Sequence, residues 1–199
     1  AGTSVSDPAV VALRADLAAS RLGGVMLLKT NIKSLAALSA MNAAFRAASP
    51  DLPPLITLDQ EGGAVERLTK DVGFAEIPSA VSIASRNTPE QAEAIYAKMA
   101  SGIAKLGFTV NFGPVADVNL NPDNQVIARF GRSFSPDPAV VARVMGGLSG
   151  DFDIILVATG GLEIGGKGPE KSLRALEAPA LAAQFALNAT GPALILQSA

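Results

Sequence analysis

The chain has 199 residues, 49% of them hydrophobic and 17% charged, with a formal net charge of −2. This balance describes a folded globular chain, with no basic stripe to attract nucleic acid or an anionic membrane. Cysteine and histidine are both absent, which removes disulfides, thiolate metal sites, cysteine nucleophiles and the commonest general base. Acid and base chemistry falls to carboxylates, lysines or the tyrosine.

In chain order, Ser6-Asp7-Pro8 offers a cap and a first-turn proline for a helix over 9–19, which Gly23-Gly24 stops. Residues 25–28 read as a buried strand ending in polar Lys29-Thr30-Asn31, and 34–48 as a second helix closed by Pro50, Pro53 and Pro54. A central strand over 55–58 completes strand, helix, strand at the length of a right-handed crossover. An irregular stretch runs from Arg67 to about Thr88, with Phe74, Ile77 and Pro78 pinning a loop. Thr88-Pro89-Glu90-Gln91 then caps a helix to about Leu106, which Gly107 ends. Residues 108–112 are strand-like, 121–124 turn-rich and 127–134 a glycine-broken loop, and Asp137-Pro138 starts a helix to about Leu148. Beyond Ser149-Gly150 the expectation is a strand over 153–158, a glycine-rich loop, a helix over 170–188 and a last strand over 193–196. Helix and strand alternate throughout, so the expected fold class is α/β with mainly parallel pairing. No apolar run is long enough to span a bilayer and the first residues do not read as a signal peptide, so a soluble chain is expected.

The polar cluster Asp59-Gln60-Glu61-Gly62-Gly63, directly after the central strand, is where a parallel strand meets a ligand. Carboxylates accept hydroxyl hydrogen bonds and the arginine that follows, Arg67, donates several in a fixed fork, which suits a polyhydroxylated ligand. The glycine pair permits unusual backbone angles and close approach of a ligand. A helix-capping acid in a tight turn is the competing reading. Asp117 stands near the end of the strand over 108–112 and reads either as a ligand contact or as a turn-forming acceptor. Glu61 reads equally as loop support or as a substrate contact.

Taken together, 23–29, Asp59-Gln60-Glu61-Gly62-Gly63, Val110-Asn111-Phe112 to Asp117-Val118-Asn119, and Gly131-Arg132-Ser133-Phe134-Ser135 with Asp137-Pro138 resemble family 3 glycoside hydrolases in order and spacing. They are most similar to the bacterial β-N-acetylhexosaminidase branch, over residues 2–148. The resemblance implies a (β/α)8 barrel that releases β-linked N-acetylglucosamine or a related sugar from the non-reducing end of cell-wall fragments or chitin oligomers. It implies no cofactor and no metal, and a bacterial cytoplasm or cell envelope setting. It assigns substrate binding to Asp59, Arg67 and Arg132.

The sequence departs from the family where the chemistry should be. The family's Lys-His-Phe-Pro-Gly-His-Gly segment, its catalytic histidine loop and its aspartate nucleophile have no counterpart among these residues, so the catalytic residues are not assigned. The expected organisation is part of a barrel over 1–148 and an α/β segment over 149–199, which more weakly resembles a following smaller domain. A join near Ser149-Gly150 would arise from a deletion, a chimera or omitted intervening residues. A carbohydrate-binding remnant without turnover is the alternative function. Residues 161–168 come within one position of a phosphate-binding loop, with glycine where serine or threonine should hold magnesium; a flexible connection is the competing reading.

Overall fold

The computed structural model describes residues 2–147, together with Pro179 and Ala182. The chain divides into two units, Ala1–Ser149 and Gly150–Ala199, and the first is the subject below. The elements expected over 153–196 and the glycine-rich loop at 161–168 lie outside the described residues, apart from Pro179 and Ala182, which are helical and exposed.

The order is α1 (Pro8–Ala18), β1 (Gly24–Met26), a 3-10 turn (Lys29–Asn31), α2 (Leu35–Ala48), β2 (Leu55–Leu58), a second 3-10 turn (Lys70–Val72), α3 (Ala80–Arg86), α4 (Pro89–Lys105), β3 (Val110–Asn111) and α5 (Pro138–Gly147). The strands form one parallel sheet in the order β1-β2-β3, with Val25 opposite Ile56 and Leu58 opposite Asn111. β2 is the central strand, and Ile56, Thr57 and Leu58 are buried in succession, as a strand covered on both faces must be. Leu38, Met41 and Phe45 of α2 and Tyr96, Met99 and Ile103 of α4 supply much of the surrounding core. An α/β fold with a parallel sheet is therefore observed.

Local chemistry explains the element ends. Ser34 accepts from the Ala37 amide at 3.2 Å, and Thr88 and Gln91 close a reciprocal capping box at 3.3 and 2.9 Å. Gly107, at φ +88°, takes the left-handed conformation that ends α4. Asp7 departs from expectation. It stands at the N-cap of α1, but its carboxylate turns back to accept from the amides of Thr3 and Ser4. The Thr3 amide, first among its contacts, holds that carboxyl below the usual range.

The stretch from 67 to 88 is not irregular throughout. It contains the second 3-10 turn and α3, whose Ala80 and Ile83 are buried. The strand expected over 108–112 is shortened to Val110–Asn111, although Thr109 and Phe112 still donate to Ile56 and Leu58 at 2.9 and 3.0 Å. Pro114, with no amide hydrogen, follows at once, and Phe112 is half exposed. The glycine pair takes the backbone angles expected of it, with φ of +101° at Gly62 and +59° at Gly63. A side chain on Gly62 or Gly63 would stand 2.5 Å from the Pro78 carbonyl oxygen or 2.7 Å from Ser79 Cβ, and the Gly63 amide donates to Ile77 at 2.8 Å. It is the chain's own segment at 77–79 that approaches there.

Beyond the ladder, side chains take over from backbone. Asn111 accepts from the Gln60 amide and donates to the Gln60 carbonyl, both at 2.8 Å. The fully buried Gln60 side chain accepts from the amides of Arg67 and Leu68 at 2.8 and 2.9 Å and donates to the Leu68 carbonyl at 3.0 Å. One amide thus folds the chain from 61 to 68 back against the strand end. Gln60→Ala leaves those groups without a partner, so urea unfolding should show a loss of about 3 kcal/mol; an unchanged midpoint would contradict this role.

Glu66 fastens the same loop farther on by accepting from the Ile77 amide at 3.2 Å. Burial, followed by the charge of Glu76, pushes its carboxyl above the ordinary value against the pull of that amide and of Lys29. A carboxyl raised in the folded state binds its proton there first, so its contribution improves as pH falls through the window above the ordinary value and worsens as pH rises. Glu66→Gln imitates the protonated form. It should raise the urea midpoint at about pH 7 and lose that advantage at about pH 4; an advantage that grows in acid would refute the assignment.

Candidate functional site

Two ion pairs stand side by side at the C-terminal end of the sheet. Asp59 and Glu61 follow β2 directly. Continued alternation along the chain puts these two on one side and Gln60 on the other. Arg67 Nη2 donates to Asp59 Oδ2 at 2.8 Å, with the side chains 24% and 25% exposed. Arg132 donates from Nε to Glu61 Oε2 and from Nη2 to Glu61 Oε1, each at 2.8 Å, with the side chains 20% and 10% exposed. The first pair is local. The second ties the loop after β3 to the end of β2 across 71 residues.

Arg132 has a fixed backbone as well. Its amide donates to Ile127 at 3.1 Å, while the hydroxyl of Ser133 donates to the Asp117 carbonyl at 2.6 Å. Phe134 packs edge-on against Tyr96, with ring centres 6.1 Å apart. Gly131 precedes at φ +61°, with Val81 Cγ1 only 2.7 Å from where a Cβ would stand. The guanidinium is held above its usual pKa first by the hydrogen bonds to Glu61. Partial burial opposes this, and the charges of Glu61, Asp117 and Asp59 reinforce it. Those three carboxylates therefore lie within electrostatic reach of Arg132.

The sequence-based candidates Asp59, Arg67, Arg132 and Glu61 are thus gathered in one place. Asp117 is at its border. The side chain is exposed, and it is the backbone carbonyl, not the carboxylate as expected, that accepts in the turn. Three contributors escaped sequence reasoning. Gln60 and Asn111 shape the loop, and Tyr96, given no place in the site by the sequence, lies near Glu61 and packs against Phe134 beside Arg132. The Tyr96 hydroxyl is buried without a partner, and burial, then the charge of Glu61, pushes its pKa up, so it keeps its proton. Gln60 sits inside a motif that the sequence displays plainly, but its inward side was visible only as the alternation 59, 60, 61.

Hydrogen-bonding capacity remains in the cluster. Asp59 uses only Oδ2, and Arg67 Nε is buried with no acceptor. The free Asp59 Oδ1 and the unused N–H groups of Arg132 offer both an acceptor and donors, as a hydroxyl requires. A cavity of about 280 Å³ adjoins this region, with Tyr96, Asn111, Gly113 and Pro114 in its wall. A second, of about 290 Å³, lies at Phe74, Lys98 and Lys105, and neither cavity has Asp59, Glu61, Arg67, Asp117 or Arg132 in its wall. Among the described residues no group of three or more Asp, Glu, His or Cys could hold a metal ion, and no helix is long and apolar enough to cross a membrane.

The pattern described as Glycosyl hydrolase family 3 N terminal domain matches residues 7–149. The chain is 36% identical over 122 residues to a beta-hexosaminidase A of Pseudoalteromonas piscicida, covering 57% of this chain and 20% of that protein. It is 37% identical over 125 residues to a beta-hexosaminidase of Stenotrophomonas maltophilia, covering 55% and 36%. A solved family 3 beta-N-acetylglucosaminidase from a Paenibacillus species superposes with a TM-score of 0.64 at 28% identity, covering 74% of this chain and 28% of that one. The chain thus spans about a fifth to a third of the length of these relatives. With the family pattern extending over most of its length, from the first helix through the last described one, the chain belongs to glycosyl hydrolase family 3.

Proposed function

We propose that Asp59, Arg67 and Arg132 bind the sugar ring of a β-linked N-acetylglucosamine or a related hexosamine, as part of a glycosidase that removes it from cell-wall fragments or chitin oligomers. The observation that carries this reading is the paired cluster at the C-terminal strand ends, with acceptor capacity on Asp59 and donor capacity on the Arg132 terminal nitrogens. The names of the relatives support the sugar class. In this reading the three parallel strands are a sector of a (β/α)8 barrel, the fold in which such clusters collect at the C-terminal face.

The residues divide the work by chemistry. Asp59 Oδ1 accepts a sugar hydroxyl while Oδ2 stays with Arg67, so the carboxylate is oriented before ligand arrives. Arg67 and Arg132 donate to hydroxyl or ring oxygens. Breaking the glycosidic bond with retention needs a nucleophile and a proton donor on opposite sides of it. Asp59 and Glu61 are already engaged by Arg67 and Arg132, so this cluster grips the ring and leaves both of those roles to other groups. A sugar-binding chain without turnover is the second reading, favoured by the absence of histidine from these 199 residues.

Titration calorimetry of the chain with N-acetylglucosamine tests the binding shared by both readings. Saturable heat should appear and weaken about tenfold or more in Asp59→Ala, which removes an oriented, charge-assisted acceptor; no heat, or equal affinity in the variant, defeats the assignment. Release of a chromophore from an N-acetylglucosaminide separates the hydrolase from the binder.

A further inference from the structure

Of the two ion pairs, the one at Glu61 has a geometry that binding alone does not require. Glu61 is almost fully buried and gives both carboxylate oxygens to one guanidinium, at 2.8 Å each. A bidentate contact along the Nε–Nη2 side fixes the plane of the guanidinium as well as its position. Of the five N–H donors of Arg132, two go to Glu61 and one, from Nη1, makes a longer 3.4 Å contact with the Val126 carbonyl. One donor is left on each terminal nitrogen. By contrast Arg67 is held through one nitrogen, and its Nε has no acceptor.

We infer that Glu61 is a positioning residue for Arg132: it touches no ligand, and by occupying the Nε–Nη2 side it holds the two terminal nitrogens as a fixed pair of donors. This rests on the sugar-binding reading above and adds to it a residue that acts through another. The surrounding contacts fit the role. Ser133 and Phe134 anchor the backbone just after Arg132, against Asp117 and Tyr96, so the long side chain retains freedom only beyond Cβ. Glu61 removes that freedom. Without it, an arginine side chain loses its rotamer freedom on meeting ligand. With it, the ordering accompanies folding. The length of the glutamate also matters: one methylene fewer at this position draws the carboxylate back from the fork, so Asp satisfies only part of the requirement.

The test reads the hold directly and then its consequence. In nitrogen-15 labelled chain, the Nε–H resonance of Arg132, identified by its disappearance in Arg132→Lys, should be resolved and slow to exchange in the absence of sugar. Glu61→Gln should broaden or remove it while circular dichroism is unchanged, and Glu61→Asp should restore part of it. Affinity for N-acetylglucosamine should fall about tenfold in Glu61→Gln, the loss expected for one well-oriented hydrogen bond, and recover partly in Glu61→Asp. A persistent Nε–H signal in Glu61→Gln, or a lost signal with parental affinity, overturns the inference. A parent chain that binds no N-acetylglucosamine overturns the sugar-binding reading, whereas the dependence of the signal on Glu61 is decided without sugar, so the two failures are told apart.

Discussion

The interlock of two side-chain amides, the buried Gln60 and the partly buried Asn111, is what the site depends on. A parallel strand that ends at a binding edge leaves backbone groups without a ladder partner just where the chain must stay ordered. The Asn111 side chain supplies both missing partners to Gln60, and the Gln60 side chain closes the loop that carries Arg67. Only a side chain with donor and acceptor on the same carbon can do either job. A glutamate at 60 would set a charge against the Leu68 carbonyl, and a leucine would leave two amides and a carbonyl unpaired. Because Gln60 faces inward, Asp59 and Glu61 on either side of it face the arginines, and the alternation of the strand is carried three residues past its end.

The cluster built on this interlock is unequal in its two halves. Asp59 and Arg67 lie eight residues apart and share a single hydrogen bond, so their pairing can adjust as the loop does. Glu61 and Arg132 meet across 71 residues through two bonds and with less exposure, which resists adjustment and draws the loop after β3 onto the end of β2. Partly buried pairs of this kind contribute little net stability once desolvation is counted. Their effect is on placement. The segment at 77–79 closes over the glycine pair from a third direction, and the same glycines that looked suited to a ligand's approach serve the packing of the chain on itself.

Much of this fold was legible because its signals are local. Proline at the first helical position, the Thr88 and Gln91 box, Ser34 before its helix and the apolar run at 55–58 each fix an element within a few residues. What failed to show is what depends on distant partners. The short α3 follows Pro78-Ser79, which looks like more loop, and its helical state is secured by the burial of Ala80 and Ile83 and by the amide of Val81 donating to Gly131. Asp7 has the residue type of a cap, but a tighter turn with Thr3 and Ser4 competes for its carboxylate. In the site, Asp59 and Arg67 could be read as neighbours, and Arg132 entered through resemblance of its segment. That its partner is Glu61, with Tyr96 near it, required the tertiary fold. The same holds for Asp117, whose carbonyl, not its carboxylate, serves the turn.

The charges in the cluster also say which ligands it suits. Asp59, Glu61 and Asp117 against Arg67 and Arg132 leave one net negative charge near the strand ends, so an anionic ligand gains nothing from the region as a whole. A phosphate would find donors on the arginines but would meet the free oxygen of Asp59 unfavourably, and an ammonium would have the reverse difficulty. A hydroxyl both donates and accepts, and a ring bearing several can meet Asp59 and the arginine fork together. Under the proposed function the arrangement favours a neutral polyhydroxylated ring over either class of ion. It does so because each arginine is already balanced by a carboxylate before any ligand arrives, which leaves hydrogen-bond direction, not net attraction, to decide what is held.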